Sequence, residues 1–106
     1  MTQAELLTLL KSTGLQVAYG SFATAVSPPF ITYQFSYSND LIADNINYAE
    51  ISNFQVELYT TKKDLASEKK VQDALKVAEL PYSKIETWIK EEKMYQILYE
   101  IQLIGA

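Results

Sequence analysis

Glutamate side chains are the groups of this chain best placed to act as acids and bases, because the sequence contains no histidine, cysteine or arginine. Glu57 and Glu100 form the nearest approach to a catalytic pair, each on the polar side of a predicted strand. General acid–base catalysis needs a carboxyl group whose pKa is displaced by burial or coupling, and the sequence indicates no cleft around this pair. We therefore predict an ordinary sheet surface there, no enzyme activity and no cofactor.

Three further acids, Asp40, Asp44 and Glu50, lie in or beside a long polar connection between two predicted strands. Their spacing does not match a calcium-binding loop, in which acidic and amide residues alternate ahead of a glycine. A cation site or an acidic rim is one interpretation, and a solvated loop is the simpler one. We favour the solvated loop and predict no metal.

The charge of the chain argues against nucleic acid and membrane as direct partners. Nine basic residues, all of them lysine, stand against thirteen acids, which gives a net charge of −4. Nucleic-acid binders usually carry a concentrated basic patch, whereas these lysines are dispersed. No apolar stretch reaches the roughly 18 residues of a membrane span, and no targeting segment is visible. The length predicts a single domain over residues 1–106.

Two helices are predicted from capping residues and apolar periodicity. Thr2 and Glu5 fit a capping box at the start of the first helix, and Gly14 is suited to its end. The second helix begins at Thr61 or Asp64, and its apolar residues then recur every three or four positions. The first helix is only about three turns long and must dock on other elements, because short helices do not persist alone in water.

Alternating apolar and polar residues predict four strands, and the stretch around Val17 and Tyr19 indicates a further short one. The four strands cover residues 30–38, 51–60, 83–89 and 93–104. The resulting order is α-(β)-β-β-α-β-β. It predicts an α+β fold, in which an antiparallel sheet of four to five strands carries both helices on one face.

Large apolar side chains on otherwise polar surfaces favour a partner-binding surface. Tyr59, Trp88, Leu98 and Ile104 are assigned to the polar side of the sheet. The remaining strand tyrosines align with core-facing residues: Tyr33, Tyr37, Tyr95 and Tyr99. Exposed aromatic and aliphatic residues mark interfaces more often than ordinary surface does. Cover by another subunit and an uncovered sheet face both explain the pattern, and Leu98 and Ile104 favour the former.

An apolar pair, Leu41-Ile42, stands at the centre of the polar connection between the first two long strands. A long connection inside a small domain is often functional, and exposing two large aliphatic side chains in it costs free energy. Docking on a neighbouring subunit would explain the pair. Local packing over the core would explain it nearly as well.

Five short segments between Pro28 and Glu100, roughly three quarters of the chain, form a recognisable series. They are Pro29–Tyr33, Ala43–Asn45, Val56–Thr60, Leu80–Tyr82 and Met94–Glu100. The series resembles the small head–tail joining and tail-terminator proteins of tailed bacteriophages and prophages of Gram-positive bacteria, often called minor capsid proteins. It consists of strand patterns and contains no catalytic signature.

The resemblance implies an α+β subunit that closes into a ring, typically a hexamer, at the head-proximal end of the tail. Such a ring stops growth of the tail tube and offers a docking surface to the head connector. The implied partners are further copies of the chain, tail-tube proteins and head-connector proteins. The implied location is the host cytoplasm during assembly and the head–tail junction of the virion. No catalytic residue is implied.

Within such a ring, the strands Pro29–Tyr33 and Val56–Thr60 would act as scaffold, and the Ser38–Glu50 loop would face the lumen or a neighbouring subunit. An acidic lumen would repel the phosphates of passing DNA. The rival hypothesis is a small non-catalytic adaptor, whose sheet face holds one peptide or protein partner.

Overall fold

The structure is a computed structural model that describes residues 1–105. Its elements are α1 (Gln3–Lys11), β1 (Gln16–Tyr19), β2 (Phe30–Ser38), β3 (Leu41–Ala43), β4 (Ile46–Ala49), β5 (Ile51–Thr60), α2 (Leu65–Val77), β6 (Ser83–Ile89) and β7 (Met94–Ile104). The main sheet has the strand order β1-β2-β5-β7-β6, and β3 pairs with β4 in a separate two-stranded sheet. The fold class is α+β, as predicted.

The main sheet is mixed, which corrects the prediction of an antiparallel one. β1 runs parallel to β2, with Gln16 paired to Phe30 and Tyr19 paired to Tyr33. Parallel neighbours need a crossover connection, and residues 20–29 provide it here. The other strand pairs of the main sheet are antiparallel. Apolar alternation shows that a strand exists but not which way it runs, so the sequence could not reveal this difference.

One face of the main sheet carries both helices and the hydrophobic core. α1 buries Leu6 and Leu10 completely, and α2 does the same with Val71 and Leu75. Alternate residues of the three central strands meet them: Ile31, Tyr33, Phe54, Val56, Leu58, Ile97, Tyr99, Ile101 and Leu103. The opposite side, here called the open face, carries Thr32, Gln34, Gln55, Glu57, Tyr59, Gln96, Leu98 and Glu100. Successive side chains of a strand point to opposite faces, so burying one set leaves the other outside the core.

Both helix starts are fixed by side-chain caps. The Thr2 hydroxyl accepts a hydrogen bond from the Glu5 backbone N–H at 3.1 Å, and the Glu5 carboxylate accepts one from the Thr2 N–H at 3.0 Å. The predicted capping box is therefore confirmed. Of the two residues considered for α2, Asp64 is the cap, and it accepts from the backbone N–H of Ser67 at 3.0 Å.

An ion-pair cluster around the buried Glu68 fastens α2 to the edge strand β6. Glu68 is 3% exposed, and its carboxylate lies 2.8 Å from the Lys63 ammonium and 3.5 Å from that of Lys84. Lys63 also reaches Glu86 on β6 at 2.6 Å. Hydrogen bonds to Glu68 and Glu86 raise the pKa of Lys63, which keeps it charged. The cluster thereby links three successive parts of the chain around the N-terminus of α2.

We predict that Asp64→Ala lowers the free energy of unfolding by about 1 kcal/mol, because α2 loses its cap. Hydrogen bonds from Ser67 lower the pKa of Asp64 below its ordinary value of 3.8. A lowered folded-state pKa gives stability that is present above the unfolded-state pKa and lost as pH falls through the folded-state value. Urea unfolding of the wild type and of Asp64→Asn, compared at pH 7 and below pH 4, measures this contribution.

Asp64→Asn keeps an oxygen for the cap but cannot titrate. The free energy of unfolding of Asp64→Asn should therefore fall less between pH 7 and acid pH than that of the wild type does. An identical pH dependence in the two proteins would contradict the prediction.

Candidate functional site

The connection between β2 and β5 is a β-hairpin, which corrects the prediction of a loop. β3 and β4 pair antiparallel through the two-residue turn Asp44-Asn45, whose φ angles are 52° and 63°. Positive φ at both residues is the type I′ geometry, whose twist matches that of paired strands. Asp and Asn enter this left-handed region more readily than other residues with a Cβ atom. Residues 39–50, which contain the hairpin, are called the arm below.

Asp40 fixes the base of the arm. Its carboxylate accepts hydrogen bonds from the Asn47 side chain at 2.7 Å and from the Ile51 backbone N–H at 2.9 Å. Glu50 also lies at the base, whereas Asp44 lies in the turn at the tip. In the part of the chain that the structure describes, no three acidic side chains are grouped so as to hold a metal ion.

The arm exposes large apolar side chains on both of its faces. These side chains are Leu41, Ile42, Ile46 and Tyr48. Ile42 pairs with Asn47 and Ile46 pairs with Ala43, so the two isoleucines point to opposite sides of the hairpin. They are 67% and 63% exposed, and Tyr48 is 72% exposed. The hydrophobic core draws no residue from the arm, so local packing does not explain the predicted Leu41-Ile42 anomaly.

The dimensions of the molecule agree with a projecting arm. The protein measures 49 by 28 by 25 Å, and its radius of gyration is 14.7 Å. A compact domain of this length has a radius of gyration of about 13 Å. A two-stranded hairpin is marginally stable at best by itself in water. The arm therefore offers apolar surface that its own domain does not cover.

A second feature is the buried carboxylate of Glu57 at the centre of the open face. It accepts hydrogen bonds from the hydroxyls of Thr32 and Tyr59, both at 2.9 Å, and from the Gln34 amide at 3.3 Å. Gln96 donates in turn to the Tyr59 hydroxyl at 3.0 Å. Glu57 is only 8% exposed, although its strand position faces away from the helices. Its carboxylate is therefore held by hydrogen bonds from uncharged side chains.

Aromatic rings extend this network towards one side of the open face. Phe30 stacks on Tyr59 with ring centroids 5.0 Å apart, and Phe22 meets the Phe30 ring at 5.3 Å. Phe22 belongs to the crossover between β1 and β2, which reaches the open face at this point. Burial raises the pKa of Tyr59, and the charge of Glu57 acts in the same direction. The phenol hence stays protonated and donates its hydrogen bond.

Trp88 lies on the opposite face from the one predicted. The β6 register pairs it with Tyr95 on the helix-bearing side, and the two rings are 4.7 Å apart. Ile85, which sequence analysis did not single out, pairs with Leu98 on the open face and is exposed. The other two helix-facing positions of β6 are charged, because Lys84 and Glu86 join the ion-pair cluster at α2. An edge strand can thus reverse the usual polarity of its two faces.

The other residues predicted to form an interface or an acid pair lie on the open face or at the end of one of its strands. Tyr59 and Leu98 lie on the open face and are half-buried, and Ile104 is exposed at the end of β7. Glu100 is also on the open face, but it pairs with Gln55 and not with Glu57. The two acids are therefore diagonal neighbours on paired strands and do not lie directly opposite each other.

Tyr37 is exposed, which corrects its assignment to the core. A β-bulge between Phe35 and Tyr37 shifts the register, so that Tyr37 pairs with Asn53. Asn53 belongs to the same face as Gln55, and the bulge hence turns Tyr37 to the open face. A bulge of this kind leaves no trace in the alternation of apolar residues.

Ser67 and Lys70 have the spacing of some serine nucleophiles with a lysine nearby, a pattern that sequence analysis missed. The Ser67 hydroxyl donates to the Asp64 carboxylate at 2.7 Å, within the cap of α2. Ser67 is buried, whereas Lys70 is exposed on the outer side of the helix. The hydroxyl therefore serves the helix cap in this structure.

Comparison with known proteins assigns no family to this arrangement. No family model matches the chain, and no curated protein shows significant similarity to it. Within residues 1–105, no helix is long and apolar enough to cross a membrane. The functional argument therefore depends on the arm and on the open face.

We predict that Tyr59→Phe lowers the free energy of unfolding by about 1.5 to 3 kcal/mol, because its hydroxyl donates to a charged acceptor. In a Glu57→Gln background the same change should cost about 1 kcal/mol, since the acceptor is then neutral. A double-mutant cycle measured by urea unfolding tests this coupling.

Tyr37→Phe is the matched control, because it removes a phenol hydroxyl from an exposed side chain on the same face. Its effect should stay within about 0.5 kcal/mol. Equal costs of Tyr59→Phe in the two backgrounds would show that the hydroxyl and the carboxylate do not act together.

Proposed function

We propose that this protein is a non-catalytic structural subunit, which assembles with copies of itself into a ring in a phage or prophage particle. The observation that carries the proposal is the arm, a projecting hairpin whose apolar side chains lie outside the core of its own domain. Such surface is buried when a second molecule contacts it. Contiguous exposed apolar surface is a recognised mark of protein interaction sites.

A ring suits this arrangement better than a two-fold dimer. In this proposal the arm and its acceptor are different surfaces, so each contact is heterologous, and heterologous contacts build closed rings when the rotation closes. Burial of four large apolar side chains contributes on the order of 6 to 12 kcal/mol. Association itself costs about 4 to 15 kcal/mol in lost freedom. A single arm contact is therefore weak. Closure of the ring stabilises the assembly, because it adds one more contact without immobilising another free subunit.

The place in the particle follows from the resemblance to head–tail joining and tail-terminator proteins. Two of its segments, Pro29–Tyr33 and Val56–Thr60, form neighbouring strands, β2 and β5, at the centre of the main sheet. In this proposal the sheet and helices form the wall of the ring, which ends the tail tube and docks to the head connector. The protein acts in the host cytoplasm during assembly and then resides at the head–tail junction.

A second candidate function is that of a protein-binding adaptor. The observation that favours it is a depression of about 720 Å³ beside the end of α2, lined in part by Phe54, Leu80, Tyr82 and Ile101. Its size lies within the usual range for ligand pockets. An adaptor of this kind would remain monomeric and bind one partner there, so the oligomeric state separates the two functions.

We predict that the purified protein self-associates with rising concentration and that Ile42→Asp combined with Ile46→Asp abolishes this association. Both side chains are exposed, so the free energy of unfolding of the monomer should change by no more than about 0.5 kcal/mol. Sedimentation velocity over a concentration series measures the association, and urea unfolding measures the stability.

Ile85→Asp is the matched control, because it makes the same change at an exposed strand position outside the arm. It should leave the association intact. A wild type that stays monomeric up to its solubility limit would contradict the proposed function. Equal loss of association in the control would show that the effect is not specific to the arm and would remove the support for an arm contact.

A further inference from the structure

The outer side of α2 combines exposed apolar and basic side chains. Leu65 and Val77 are 69% and 83% exposed at the two ends of the helix, about 18 Å apart along its axis. The exposed charged residues between them are Lys69, Lys70, Asp73 and Lys76. At about 100° per residue, all of these positions fall in an arc of roughly 140°. Val71 and Leu75, which enter the core, lie outside this arc.

Positive charge prevails on this outer side of α2. Lys69 forms an ion pair with Asp73 four residues along. Among the described residues, the structure pairs neither Lys70 nor Lys76 with an acid. Glu68 of the same helix is buried in its own lysine cluster and takes no part in the outer surface. Two lysines therefore lie free among exposed apolar side chains.

The arm has the complementary character. It carries Asp40, Asp44 and Glu50 and no basic residue, and no lysine occurs between Lys11 and Lys62. Its exposed apolar residues lie between an acid at the tip and an acid at the base. Strands of three and four residues span roughly 10 to 13 Å, which fits within the length of the outer side of α2.

We propose that the arm of one copy docks on the outer side of α2 of the next copy. Ile46 and Tyr48, which share one side of the hairpin, pack on Leu65 and Val77. Asp44 and Glu50 lie opposite Lys70 and Lys76. The inference rests on the proposed function, since it assigns the contact from which that ring is built.

The two kinds of contact have different roles. Burial of apolar surface supplies most of the affinity, whereas complementary charges fix orientation and speed association. Exposed ion pairs contribute at most about 1 kcal/mol each and are screened by salt. The association should therefore weaken, but not vanish, when the salt concentration is raised.

Charge exchange between the two surfaces tests the contact. The arm variant is Asp44→Asn with Glu50→Lys, in which asparagine preserves the left-handed turn position. The helix variant is Lys70→Glu with Lys76→Glu. Each variant alone should weaken self-association at low salt by about tenfold, as expected for the loss of two exposed ion pairs. The protein that carries all four changes should regain about half of this loss in free energy, because the reversed charge at position 50 again faces an opposite charge on α2, whereas the asparagine at position 44 is neutral.

Lys11→Glu with Lys90→Glu is the control for the helix variant, because it makes the same change in net charge at exposed lysines outside α2. Sedimentation velocity gives the association constants, and urea unfolding verifies that each variant is folded. The association constant of the control should equal that of the wild type, apart from the general repulsion between copies that its more negative net charge adds.

The outcomes separate this inference from the proposed function. If neither variant weakens self-association, the arm-to-helix contact is overturned but the proposed ring is not. The same conclusion holds if the fourfold variant regains none of the lost association. Weakening by the arm variant alone points to a different acceptor and also overturns the contact. A wild type without self-association overturns both proposals.

Discussion

Burial of one face of the main sheet beneath α1 and α2 is the interaction on which the rest of the structure depends. Neither helix is long enough to persist alone, and each is held by two fully buried side chains over the same sheet. Because side chains alternate along a strand, the residues between the buried ones lie on the other face of the sheet, which no helix covers. The open face must then satisfy its own polar groups. It does so, and no buried side-chain polar atom among the described residues is left without a partner.

Two buried glutamates show how the faces differ. Glu68, between α2 and β6, is balanced by two lysines, so its cluster joins elements through charge. Glu57, on the open face, is held by neutral hydroxyl and amide donors. The strand positions of the open face hold Glu57 and Glu100 but no lysine. Two open faces would therefore meet with like charge, which makes the arm the better candidate for contact between copies.

The features that could be predicted from sequence depend on neighbouring residues. Three strand ranges, 30–38, 51–60 and 83–89, match the structure because alternation is local. The face of Trp88 and the burial of Glu57 could not be predicted in this way, because each depends on elements distant in sequence. The arm occupies an intermediate position. Its turn uses Asp44-Asn45 without glycine, so the alternation of Ile46 with Tyr48 was the remaining signal for a hairpin.

The distribution of charge along the chain is compatible with the self-association proposed above, although the protein is acidic overall. Residues 12–61 hold four acids and no lysine, so the entire net charge of −4 lies in that half of the sequence. The remainder is neutral overall, yet α2 turns its unpaired lysines outwards. At distances beyond about 10 Å, salt screens the repulsion between copies. At contact, the proposed orientation, in which the arm meets α2, brings opposite charges together. Subunits joined in this head-to-tail sense leave one arm and one helix free until the ring closes.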